Sequence, residues 1–249
     1  MTDHIHPTAT VSEEAEVPED VQVGPYTLIH GNVRVGVGSV IESHCVLGHP
    51  SPTPNSGALV LGPGALIRSH SVFYEGSTFG EGLTTGHRVT VREGIQAGSG
   101  LQIGTLCDFQ GHATIGDHVR THSNVHIGQK SIIGSYVWIF PYVVLTNDPH
   151  PPSDGFLAGV TVEDYVVLAT MCTILPGLNI GTRSVVAAHA LVTKNVLPDT
   201  LVAGVPARSM GLASRVMLGD DSGPAYPWMH HFHRGYPSAV VQRWLKEYP

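Results

Sequence analysis

Residues 97–145 read AGSGLQIGTLCDFQGHATIGDHVRTHSNVHIGQKSIIGSYVWIFPYVVL, and every sixth position is apolar or threonine: Ala97, Ile103, Phe109, Ile115, Thr121, Ile127, Ile133, Ile139, Leu145. The same register reaches back through Val91, Thr85, Phe79, Phe73 and Ile67 to Leu61. An earlier register runs Val11, Val17, Val23, Ile29, Val35, Ile41, Leu47, and a later one Val162, Leu168, Ile174, Ile180, Val186, Val192. A period of six is neither the 3.6 of a helix nor the two of a half-buried strand. It is the repeat of a parallel β-helix, whose coils bury their apolar faces only by stacking on one another. Three hexads close one triangular coil, so residues 18 apart stack at a strand spacing of about 4.8 Å. Four residues after an anchor the side chain is mostly small or β-branched (Ala15, Thr27, Ser39, Ala65, Ser71, Ser77, Val119, Ser131, Cys172, Ser184, Ala190), which lets the chain turn without filling the axis.

The hexads slip phase twice, and a solenoid accepts insertions only as loops leaving a corner. HPSPTPNSGA (49–58) is too rich in Pro, Ser and Asn for a strand and reads as a solvent-exposed excursion. TNDPHPPSDGFLAG (146–159) gathers Asn147, Asp148, His150 and Asp154 in a short stretch and reads as functional. The expected organisation is an all-β solenoid over 1–208 with loops at 48–60 and 146–161. A tail over 209–249 follows, with a short helix from Ala239 to Glu247 capped by Ser238.

Composition agrees with short strands and tight corners: charged residues are 13% and glycines number 29. No apolar run reaches 18 residues and the N-terminus shows no signal-peptide pattern. Cys45, Cys107 and Cys172 show no CxxC or metal spacing and read as buried thiols, so a reducing cytoplasm is the expected location. A formal charge of −7 argues against a nucleic-acid surface. The charge is uneven, however. Residues 183–249 hold seven Lys/Arg against four Asp/Glu, and a basic end on an acidic chain points to a local anionic ligand.

IHPTATV near the start, the central GHATIGDHV, the run from SNVHIG to VVLTNDPHP and the closing VTKNVLPDTLVAGVPAR resemble hexapeptide-repeat acyltransferases that use acyl-CoA. More narrowly they resemble N-acetyltransferases acting on nucleotide-linked amino sugars for surface polysaccharides. The resemblance covers roughly residues 5–215 and leaves PWMHHFHRGYP outside it. It implies a left-handed coil, acetyl-CoA as donor, no required metal, and a homotrimer with active sites in the clefts between neighbouring coils. It implies neither a nucleic-acid partner nor membrane insertion.

Such a site holds an amine against a thioester, accepts a proton and stabilises the oxyanion. Of sixteen histidines, His112 matches the position where related sugar acyltransferases carry their base, and stacking by 18 sets Lys130 and Asp148 along its ridge. The alternative for His112 is a solvated surface imidazole. His87, in TTGHRVTVRE, is a second catalytic candidate beside Arg88; two coils on lie Ser123 and Asn124, the latter where some relatives place an Asn that holds the reacting amine. Those relatives work without a side-chain base, which leaves His87 equally a wall of the sugar pocket. His150, with Asn147 and Asp148, is expected to touch substrate. For the donor, the resemblance points to small residues Ala169, Ala187 and Ala188 for close approach of pantetheine, and to Lys194 and Arg208 for phosphate.

His112, His118, His122 and His126 invite a zinc reading of the γ-type carbonic anhydrase kind, but the hexad phase turns them in different directions. Asp108 stacks on His126 and Phe140 on His122, which completes no zinc triad. His230, His231 and His233 read as an aromatic-flanked cap. Transfer of another acyl group, O-acetylation and a non-catalytic binding face are the remaining alternatives.

Overall fold

The computed structural model describes residues 4–52, 57–153, 155–226 and 236–247 and is a left-handed parallel β-helix. Thr84–Thr85, Thr90–Val91 and Gln96–Ala97 are the three sides of one coil. Residues 18 apart pair in parallel, Thr90 with Asp108 and Asp108 with His126. Among the described residues this gives three flat sheets. Face A has eleven strands beginning at Gln22–Val23, face B ten beginning at Thr10–Val11, and face C eight beginning at Val33–Val35. The chain visits them in the order A, B, C, so each coil has an AB, a BC and a CA corner.

The hexad anchors fill the axis. Ile29, Ile41, Leu47, Leu61, Ile67, Phe73, Phe79 and Phe109 are buried, and Phe73 meets Phe79 edge to face. The small residue four positions on does more than save space. Thr27, Ser39, Ser71, Ser77, Ser131 and Ser184 are buried, and each donates its hydroxyl to a corner carbonyl, those of Glu42, Gly36, Arg68, Arg92, Gly128 and Leu197. A hydroxyl here satisfies an acceptor that the turn would otherwise leave unpaired. The residue before it sits in the left-handed region, as at Asn124 (φ 60°), Lys130 (φ 63°) and Tyr136 (φ 60°). The stacked ladders on both sides hold these corners against the strain.

Both insertions leave the BC corner. The first lies between the strands Val46–His49 and Leu59–Leu61, the second between Val144–Leu145 and Thr161–Val162. The two insertions therefore rise from the same ridge.

At the C-terminal end Thr200–Gly204 joins face A in parallel, and Ala207–Leu212 folds back on it antiparallel. Helix α1 (Ser238–Glu247) then packs on face A and the CA corner. Trp244 is buried against Tyr136, Tyr165 and Tyr236, and Arg243 donates to the Tyr136 hydroxyl. The Arg120 guanidinium lies over the rings of both Trp138 and Tyr236. Tyr236 thus serves packing. Trp228, His230, His231 and His233 lie outside the described residues, as does Asp154 of the second loop. No helix among the described residues is long and apolar enough to cross a membrane.

Candidate active site

Four coils separate the two insertions on the BC ridge, and a run of contacts joins one loop to the other across them. Glu75 accepts from the Ser51 amide of the first loop (3.1 Å) and from Asn32. Arg92 lies over the ring of the adjacent Tyr74 and grips Glu93 through both Nε (3.2 Å) and Nη2 (3.0 Å). Glu93 is 3% exposed, so its charge is tolerated only because that guanidinium pairs with it. His112 sits above it, its Nε2 4.0 Å from Glu93 Oε1, with the ring 49% exposed. The ring lies flat over Gly94, where a Cβ would stand only 2.6 Å from Nδ1. Lys130 donates its amide to the His112 carbonyl and its Nζ to the Leu157 carbonyl of the second loop.

Beside this ridge, on the outer surface of face B, His126 Nδ1 is 3.0 Å from Asp108 Oδ2, and Gln110 Nε2 donates to the same oxygen. The His126 hydrogen bond, with help from Gln110 and Arg92, holds the Asp108 carboxyl below the usual carboxylate range. An ionised carboxylate only accepts, so His126 donates to it through Nδ1, which leaves Nε2 as the nitrogen free of that contact.

His112, Lys130, Asn147, Asp148 and His150 accordingly share the BC ridge and its loop. Asp148, however, is spent inside that loop. It accepts from the His150 amide, the Ser153 amide and the Ser153 hydroxyl, and the Ser153 hydrogen bond is the main cause that lowers its pKa. Its carboxylate shapes the loop, because turn chemistry claims it first. Asn147 and His150 remain at the loop surface.

His87, Arg88, Ser123 and Asn124 stand on the AB corner, one full side of the triangle away from His112. There Ser69 Oγ lies 2.9 Å from His87 Nδ1, with Glu42, bound to Arg68, 3.8 Å from the same nitrogen. A groove of about 460 Å³ on face A is lined by Thr84, Gln102, Arg120, His122, Ser123, Trp138 and Thr105, and the His87 amide donates to the Thr105 hydroxyl. The chain therefore carries the expected catalytic residues as two clusters.

Ala169, Ala187 and Ala188 lie farther along the AB ridge; the Ala169 and Ala187 amides are engaged in the coil ladder. Lys194 and Arg208 come together in a cleft of about 330 Å³ at the C-terminal end, with Asn195 and Thr200. Among the described residues no three His, Cys, Asp or Glu gather as a metal site. His112, His118, His122 and His126 occupy the BC corner, the CA corner, the AB corner and face B. His118 stacks on Tyr136 and His122 on Phe140, and burial is the main cause that lowers both imidazole pKa values.

Sequence reasoning did not single out Glu93, Arg92 or the Asp108–His126 pair as functional. The pair was legible from its spacing of 18, whereas Glu93 looks like any corner acid until its burial is known.

No protein-family model matches the chain. It is 31% identical over 132 residues to an acyl-[acyl-carrier-protein]–UDP-N-acetylglucosamine O-acyltransferase of Saccharophagus degradans, covering 53% of this chain and 48% of that one. It is 33% identical over 96 residues to a 2,3,4,5-tetrahydropyridine-2,6-dicarboxylate N-acetyltransferase of Staphylococcus aureus, covering 39% of this chain and 34% of that one. The chain thus spans about half or less of the length of these curated relatives. Among solved structures, the Arabidopsis UDP-N-acetylglucosamine acyltransferase superposes with a TM-score of 0.70 over 98% of this chain and 88% of that one, at 19% identity, a likeness of fold. The chain is a left-handed β-helix of hexapeptide repeats, similar in sequence and in fold to acyltransferases of that superfamily.

Proposed function

We propose that this protein is an acyltransferase that moves an acetyl group from acetyl-CoA to the amino group of a nucleotide-linked amino sugar. The observation that carries the reading is the BC ridge, where two loops bracket His112 and the Arg92–Glu93 pair, with the Asp108–His126 pair beside it on face B. An imidazole in that setting takes a proton from the acceptor or donates to the thioester oxyanion, which is the chemistry acyl transfer needs. In this reading His112 meets the reacting carbonyl, and Asn147 and His150 touch the acceptor. His87, Arg88, Ser123 and Asn124 form the opposite wall, supplied by a neighbouring copy in a homotrimer. The cleft holding Lys194 and Arg208 receives the donor's phosphates, and Ala169, Ala187 and Ala188 allow its pantetheine arm to lie close.

A second reading, transfer to a sugar hydroxyl, is favoured by the carboxylate backing of His126. A hydroxyl needs a base more than a neutral amine does. The test is product mass spectrometry after incubation with acetyl-CoA and nucleotide-linked amino sugars. Gain of one acetyl group, resistant to mild base as an amide is, supports the first reading. A base-labile ester supports the second, and no acetylated product in protein that binds acetyl-CoA refutes both.

A further inference from the structure

The geometry points to His126, braced by Asp108, as the base that removes the acceptor's proton, leaving His112 to stabilise the thioester oxygen. This assignment rests on the acyl-transfer reading above. His112, His87 and His126 stand in different settings at the two clusters. His112 lies with its ring flat on Gly94 and its Nε2 turned toward Glu93, a carboxylate already held twice by Arg92. That carboxylate is 4.0 Å off, beyond hydrogen-bond distance of the ring. His87 has a neutral hydroxyl as its close partner, with its carboxylate 3.8 Å away.

His126 alone of the three is in direct hydrogen-bond contact with a carboxylate, at 3.0 Å, and that oxygen is itself positioned by Gln110. Both side chains of the pair are 38% exposed. The imidazole is therefore oriented by the carboxylate and still reaches solvent. The strand ladder fixes the spacing, because Asp108 and His126 are register partners in face B. Arg92, on the coil before the pair, also favours the ionised Asp108. Val144 follows His126 in the ladder, and it brings no competing charge.

In the step itself the acceptor's lone pair forms a bond to the acyl carbon while its proton passes to His126 Nε2. The C–S bond then breaks with its electron pair on the CoA sulfur, which takes that proton back from the imidazolium. Asp108 stabilises the transient imidazolium and acts as a positioning residue.

The test is the pH dependence of kcat and KM for wild-type protein, His126→Gln and Asp108→Asn, with acetyl-CoA-dependent thermal stabilisation as the control for folding. Loss of a general base predicts a fall in kcat of about 100-fold or more in His126→Gln, with the acid limb of the profile flattened. Asp108→Asn is expected to lower kcat by less and to leave KM nearly unchanged. Undiminished kcat in a folded His126→Gln, with the acid limb intact, overturns the assignment while the acyl-transfer reading stands. Wild-type protein that transfers no acyl group to any acceptor overturns that reading and the assignment with it.

Discussion

Replacing Gly94 by alanine moves the His112 ring and little else, which makes it a sharp probe of the BC ridge. Gly94 has φ 74°, and a Cβ there stands 2.6 Å from His112 Nδ1. Ordinary contact begins near 3.4 Å, so the ring must withdraw by about 1 Å or leave its rotamer, at a cost of about 1 kcal/mol. The left-handed backbone adds about 1–2 kcal/mol for any residue with a Cβ. Gly64 supplies the control: its φ is 69°, and nothing lies within 4 Å of a Cβ built there. Both variants pay the backbone cost, and only Gly94→Ala displaces the imidazole. For a chain of this size each kcal/mol lowers Tm by about 2–4 °C, so the two variants should melt within a few degrees of each other. Turnover should separate them, because a misplacement of about 1 Å at the reacting centre costs roughly 100-fold. The assay is initial-rate thiol release from acetyl-CoA at saturating acceptor, alongside thermal melts. Equal turnover in Gly94→Ala and Gly64→Ala would refute the placement of His112 in the working site.

Lys194→Ala and Arg208→Ala should each weaken acetyl-CoA binding by about tenfold or more, the worth of a charge-assisted contact, with a smaller effect on dephospho-CoA, read by titration calorimetry. Trp244→Ala should free helix α1 to trypsin at Arg243 and Lys246 while the solenoid melts as before, because each coil is held by its neighbours rather than by the tail. Burial pushes the Cys172 thiol up to about 12 and the Cys45 thiol up to about 11 from 9.0. A raised folded-state pKa contributes stability that is complete below the unfolded value and lost as pH climbs toward the folded one. Tm should therefore fall as pH rises above about 9, a trend that Tyr236, also pushed up to about 12, reinforces. Iodoacetamide should leave all three cysteines unmodified in folded protein and label them after denaturation.

The hexad phase alone told which residues fill the axis, because one repeat places one inward side chain at each step: Phe73, Phe109 and Ile127 are buried as their positions require. Its two slips also mark where the chain leaves the repeat, between Leu47 and Leu61 and between Leu145 and Val162. The same arithmetic, carried through both insertions, sorts the polar residues by corner and separates His87 from His112. Other features depend on contacts outside the repeat. Asp148 turns into its own loop because local amides and Ser153 reach it first. Glu93 is buried because Arg92 folds over it, a pairing between adjacent residues that periodicity does not encode. The folding of the tail onto Tyr136 and Tyr165 follows from an apolar patch spread over three coils, visible only once the coils are stacked.

The most direct test of the account is acetyl-CoA-dependent thiol release across a panel of nucleotide-linked 3-amino and 4-amino sugars, with hydroxyl sugars and unlinked amino sugars as controls. The account predicts release with an amino sugar nucleotide and little with either control. Release with none of them, in protein that acetyl-CoA does not stabilise against heat, would contradict it.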